Sequence, residues 1–154
     1  MSQAQSRKED LNQYLKELHL PTVRRCFEEK ARQAERETLG YEQYLLELVQ
    51  RECQERREHR ITKLLRASRL PLEKTMENFE MKRLPVKAAR QVKALIDGGF
   101  LDRRENVLAF GNPGSGKTHL LSALGQELIR QGRRVAFTTC VRQQTRTVTL
   151  YVLL

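Results

Sequence analysis

The chain has 154 residues, 39% of them hydrophobic and 31% charged, with 29 Lys and Arg against 19 Asp and Glu for a formal net charge of +10. That length holds one ordinary domain, or a small helical domain with part of a second. No apolar run approaches the length of a bilayer span and the polar start Met1-Ser2-Gln3-Ala4-Gln5 is no secretory signal, so the expectation is a cytoplasmic protein that does not engage a membrane.

Leu11, Leu15 and Leu18, with Tyr14 beside them, recur at helical spacing and predict an amphipathic helix from Arg7 to His19, stopped by Leu20-Pro21. A second helix starts near Thr22, carries Val23, Phe27, Ala31 and Ala34 on its apolar side, and ends with Gly40 at the C′ position. The third and longest runs from about Tyr41 to Ser68. Its first half carries Tyr44, Leu45, Leu48 and Val49, and its middle is the charge run Gln50–Arg60. Pairs such as Glu52/Arg56 support such a helix by roughly 0.2–0.5 kcal/mol each, and the run reads as a water-facing, self-supporting surface. Residues 1–70 form a helical N-terminal domain on this reading.

Pro71 breaks the third helix, and Glu73 to Arg83 reads as a loop or single turn with Phe79 and Met81 docked on a neighbouring surface. Pro85 suits the first position of a further helix with Val86, Ala89, Val92 or Lys93, and Ile96 as its stripe, closed by Asp97-Gly98-Gly99. Phe100 and Leu101 lead into a polar turn. Residues 71–104 are thus a helical linker and basic segment. Residues 1–60 hold 12 Lys and Arg against 12 Asp and Glu, whereas residues 61–154 hold 17 against 7, so the positive excess falls wholly in the latter part. A field so confined suits a polyanion, nucleic acid first, and Arg83, Lys87, Arg90 and Lys93 are the candidate DNA contacts, taken as one face of one helix. For any single one of these residues a solvated surface is the competing reading.

The stretch Asn106-Val107-Leu108-Ala109-Phe110 reads as a short strand running into Gly111-Asn112-Pro113-Gly114-Ser115-Gly116-Lys117-Thr118, the pattern G-x-x-x-x-G-K-T, and then into a helix from His119 to about Arg130. This is a Walker A loop in its usual strand-to-helix context. A polyphosphate needs several donors converging at short range, and backbone amides converge only where side chains do not block them, which is the use of Gly111, Gly114 and Gly116. The helix start adds unpaired amides and the positive end of its dipole. Lys117 is placed for the β and γ oxygens and the Thr118 hydroxyl for Mg²⁺, so residues 111–118 are the candidate ATP-binding residues. The competing reading is a bare glycine turn, which has no use for Lys-Thr directly after the last glycine. His119 is given no chemical role.

Leu120, Leu121, Leu124, Leu128 and Ile129 form the buried side of that helix, and Arg134 to Thr139 the next strand. The order strand, loop, helix, strand predicts a parallel sheet with a right-handed crossover, begun over residues 105–140 and left incomplete. From residue 141 to 154 the tail has no helical stripe, and Thr145–Leu154 is β-branched, apolar and free of acids. The cysteines, Cys26, Cys53 and Cys140, and the histidines, His19, His59 and His119, are too dispersed for a metal site or a disulfide framework. The thiols are expected reduced at or near packed faces.

The helical region with Glu52-Cys53-Gln54-Glu55-Arg56-Arg57, then Asn78-Phe79, then Asn106 to Leu120 through the glycine loop, resembles the IstB family over about Leu11 to Thr139. These are ATP-binding helpers encoded by bacterial insertion sequences and related to the helicase loader DnaC and to the AAA+ ATPases. The resemblance implies a helical N-terminal domain followed by an AAA+-like α/β domain, with ATP and Mg²⁺ as cofactors. It also implies self-assembly on DNA that the protein bends, and a transposase as partner. The chain departs from the family where a Walker B strand ending in acids, sensor residues and an arginine finger would follow, and none is present after Cys140. The expectation is therefore a truncated or frame-altered copy that does not hydrolyse ATP alone, with Thr145–Leu154 filling the place of a missing neighbour beside the strand at Asn106–Phe110. The alternatives are a DnaC-like helicase loader, a non-enzymatic DNA- or protein-binding remnant, and, furthest from the long helical prefix, a P-loop small-molecule kinase.

Overall fold

The computed structural model describes residues 3–138 and 149–153, and its chain divides into two compact units, 1–59 and 60–154. Among the described residues six α-helices and two strands follow in order: α1 Gln3–Glu17, α2 Pro21–Glu37, α3 Tyr41–Ser68, α4 Val86–Ile96, α5 Gly99–Asp102, α6 Lys117–Arg130, β1 Arg134–Thr138 and β2 Thr149–Leu153. The unit boundary falls within α3. Cys140 lies outside the described residues.

The first unit buries a small core of Leu15, Val23, Cys26 and Leu48, with Leu20, Phe27 and Tyr44 packed against it. Only one leucine of the expected α1 stripe is buried; Leu11 and Leu18 are exposed, because two short helices cannot cover a full apolar face. The Tyr44 hydroxyl donates to the Phe27 carbonyl at 3.0 Å, which ties α3 to α2. Helix α2 ends earlier than its glycine suggests. Thr38, with φ of 52°, takes the left-handed cap, and the Leu39 amide closes on Ala34 O at 2.9 Å.

The largest departure from the expected surface is Glu52. Thr22 N donates to its Oε2 at 2.8 Å and Val23 N at 3.1 Å, and Arg56 Nε donates to its Oε1 at 2.9 Å. A residue read as part of a solvated charge run is instead buried, at 3% exposure, and serves as the N-terminal cap of α2, whose own residue Leu20 offers no side-chain cap. Cys53, on the next position, is exposed rather than packed.

The second unit packs Leu70, Phe100, Leu101, Leu124, Leu128, Ile129 and Val135 into one core, with Ile61, Leu64 and Leu65 from the end of α3 against it. Ser68 closes α3: its hydroxyl donates to Leu65 O at 2.7 Å and accepts from Leu70 N at 3.2 Å, and Arg69 takes a φ of 59°. Phe100 and Leu101, read as a lead into a turn, lie buried on the short helix α5. Gly125 is where this core is tightest. A Cβ there would sit 3.0 Å from Leu70 Cδ1 and 3.4 Å from Val135 Cγ1.

The sheet differs from expectation. β1 pairs with β2 antiparallel, Arg134 opposite Leu153 and Thr138 opposite Thr149, and no parallel sheet forms among the described residues. The strand expected at Asn106–Phe110 does not form: the stretch belongs to no ladder and to no regular element. Thr149–Leu153 is strand-like as anticipated, but it joins β1 rather than the stretch before the glycine loop. The physical reason is proximity in sequence: a short connection brings β2 onto β1 at little loop-closure cost, and an antiparallel pair needs no crossover.

Candidate functional site

The glycine loop begins where Asn106–Phe110 ends. Val107 packs against the core of the second unit and Ala109 is half-buried, while Leu108 and Phe110 face outward, so the period-2 alternation of a strand persists without a partner. The loop then turns through Gly114 and Gly116, at φ of 79° and 86°. A Cβ on Gly111 would lie 2.9 Å from Ser115 Oγ, so a side chain there would displace the Ser115 hydroxyl from its place across the loop. Ser115 N donates to Asn112 O at 3.2 Å across the turn.

Gly116 is the N-cap of α6 and no side chain caps that helix. Its first ladder bond runs from Leu120 N to Gly116 O at 2.9 Å, which leaves the amides of Lys117, Thr118 and His119 outside the ladder, with the positive end of the helix dipole behind them. Lys117 folds back over the loop. Its Nζ donates to Gly111 O at 2.9 Å, to Asn112 O at 2.8 Å and to Ser115 Oγ at 3.3 Å. All eight residues from Gly111 to Thr118 are thus gathered at one helix start, and the ammonium, the free amides and the Thr118 hydroxyl share that end.

Beside the loop lies a groove of about 800 Å³, walled by Leu84, Val92, Val107, Leu108 and Leu121 and reaching Gly116 and Lys117. At its rim Arg103 donates two hydrogen bonds to Glu105, at 2.7 and 2.9 Å, and this bond holds the Glu105 carboxyl below its ordinary value.

Of the four basic residues assigned to one helix face, three are on α4: Lys87, Arg90 and Lys93, all exposed. Arg83 is not. It sits in the 3₁₀ turn Met81–Arg83 that precedes Pro85, and its Nε pairs with Glu80 at 2.5 Å. The proline, with φ of −55° and ψ of 146°, stands as the N-cap and separates the two segments. Val86, placed in the apolar stripe, is exposed for the same reason, as the first residue past that cap.

Two side chains of α6, His119 and Gln126, carry contacts that periodicity missed. His119 Nε2 donates to Thr75 O at 2.9 Å, and its ring meets Phe79 edge-on at 5.3 Å. Gln126 Nε2 lies within 3.0 to 3.4 Å of the carbonyls of Pro71, Leu72 and Lys74. The available signal was spacing: His119, Ser122 and Gln126 lie three and four apart, a polar line beside the apolar side of the helix.

The sequence model described as IstB-like ATP binding protein matches residues 13–147 of this chain. The chain belongs to the IstB-like family. The match reaches beyond Thr139 and so takes in residues after Cys140 that the sequence reading set outside the family. Among relatives, the ATP-binding protein named for insertion sequence IS5376 of Geobacillus stearothermophilus is 34% identical over 132 residues, 86% of this chain and 53% of that protein. An insertion-sequence ATP-binding protein of Sinorhizobium fredii is 38% identical over 125 residues, 80% of this chain and 42% of its own length. The IS21 ATP-binding protein of Pseudomonas aeruginosa is 37% identical over 105 residues, 68% of this chain and 40% of that protein. This IstB-like chain therefore spans about half, or less, of the length of these relatives. Among its described residues no helix is long and apolar enough to cross a membrane.

Proposed function

We propose that this chain is an ATP-binding helper of an insertion sequence, gripping the triphosphate of ATP with residues 111–118. The observation that carries the reading is the helix start itself: glycines at positive φ, three amides outside the α6 ladder and the Lys117 ammonium at one place. A polyanion arriving there exchanges with the Gly111 and Asn112 carbonyls for Lys117, and the loop amides supply neutral donors around it. Thr118 is the residue that would hold Mg²⁺, which supplies charge neutralisation between the phosphates when bound.

Turnover is a separate matter. Phosphoryl transfer depends on positioning and charge stabilisation, with a carboxylate for the metal and a group to orient water. After Thr118 the sequence holds a single acid, Glu127, and that one is ion-paired with Arg130 on α6. The reading is accordingly binding of ATP with Mg²⁺ without hydrolysis by these 154 residues alone. DNA contact is assigned to the basic segment, with Lys87, Arg90 and Lys93 exposed along α4 and Arg83 flanking it. The implied partner is a transposase acting on the same DNA, on which the chain would assemble.

Titration of the purified chain with a fluorescent ATP analogue and Mg²⁺ tests the loop. Saturable binding that Lys117→Ala abolishes supports the reading, and absence of binding to folded protein overturns it. Gel shifts across a salt series test the DNA assignment: log affinity should fall with log salt by about 0.9 per phosphate neutralised, and Lys87→Ala with Arg90→Ala should make that slope shallower by about 2.

A further inference from the structure

Residues 71–79 run along α6 as a strap. Gln126 Nε2 faces the carbonyls of Pro71, Leu72 and Lys74 at one end, and His119 Nε2 donates to Thr75 O at 2.9 Å further along. The strap stays compact beyond this point: the Asn78 amide donates to Thr75 Oγ1 at 3.3 Å and the Phe79 amide to Met76 O at 3.2 Å. It ends on Phe79, whose ring lies edge-on to His119 and whose Cε2 is 3.4 Å from the position a Cβ on Gly116 would occupy. Gly116 is the left-handed residue on which the glycine loop becomes α6. One imidazole therefore holds both the carbonyl that places the strap and the ring that backs the loop's last glycine.

On the triphosphate reading of the loop, we propose that His119 is a positioning residue for phosphate binding: it seats Phe79 behind Gly116 and so fixes the loop in the shape that receives the anion. Its ring nitrogen is engaged with Thr75 and takes no part in contacting phosphate. The role needs an N–H donor at the reach of Nε2, because the partner is a carbonyl that can only accept. An ordered loop binds more tightly than one that must be ordered on binding, and the difference appears in affinity.

The test uses the full chain and two probes, the fluorescent ATP analogue with Mg²⁺ and inorganic tripolyphosphate as competitor. His119→Ala should weaken both by about five- to tenfold, the size that one lost hydrogen bond supports. His119→Gln, whose amide reaches a similar distance, should restore most of that loss. Phe79→Ala should weaken both probes alike, and the double variant should be no weaker than the worse single, since the two residues act in series. Wild-type affinity in His119→Ala overturns the inference, as do additive losses, failure of His119→Gln to recover, or a loss for the ATP analogue with tripolyphosphate unaffected, which would make Phe79 a nucleoside contact. Should the wild-type chain bind neither probe, the triphosphate reading itself fails, a result distinct from all of these.

Discussion

At Glu52 a carboxylate is taken out of water and compensated by two amides and a guanidinium. Burial by itself pushes its carboxyl up; the Arg56 hydrogen bond, the Val23 and Thr22 amides and the Arg56 charge together outweigh burial and hold it below its ordinary value. A carboxyl lower in the folded than in the unfolded chain adds stability that is complete above the ordinary glutamate value of about 4.3 and is lost as pH falls through the folded value. Urea unfolding of the first unit, followed from about pH 7 to pH 3, should show this loss, and Glu52→Gln should flatten it. Glu52→Ala strands both amides and is expected to cost about 2–3 kcal/mol. Ser122 presents the opposite case. Its hydroxyl is fully buried with no hydrogen-bond partner among the described residues, so Ser122→Ala should leave stability unchanged or raise it by about 1 kcal/mol; a clear fall in melting temperature would contradict that. Neither residue's role was legible from its type. Glu52 sits among charges on a helix and Ser122 among apolar neighbours, and only the partner thirty positions away, or its absence, separates a cap from a solvated side chain.

Among elements, α6 is the one on which the second unit depends. Its apolar residues were readable from 3.6-residue periodicity, and Leu121, Leu124, Leu128 and Ile129 are buried as that pattern requires. His119 and Gln126 were readable as spacing but not as contact, because what they meet is backbone carbonyl, which carries no sequence signature. Gln126→Leu removes the donor shared by the carbonyls of Pro71, Leu72 and Lys74 while preserving bulk. Limited proteolysis should then cut between Leu72 and Arg83 several-fold faster than in the parent chain, and an unchanged digestion pattern would show the strap to be held by other contacts. Helix α4 illustrates the limit of counting charges. Lys87, Arg90 and Lys93 share a helix because proline sets its start, and the same proline leaves Arg83 in the turn before it, paired with Glu80.

For the whole molecule, two cores of unequal size are formed among the described residues, a cluster of four buried residues in the first unit and one of seven in the second. The stretch before the glycine loop is the exposed weakness. Leu108 is 63% and Phe110 78% exposed, on a backbone that pairs with no described strand. Backbone outside any ladder, with outward apolar residues, is a template for association. Phe110→Lys should lower self-association in light scattering without altering the helical circular dichroism; equal scattering by both proteins would remove the edge as its cause.

The first three helices, the glycine loop at the start of α6 and the family to which the chain belongs were determined by local pattern: periodicity, proline and glycine placement, and a phosphate-loop spacing that few sequences carry for another reason. Pairing was decided only by tertiary structure. Which strand β1 meets, which carboxylate caps α2 and which imidazole holds the strap are contacts between distant positions. Their free energy depends on what arrives opposite a group, not on the group itself.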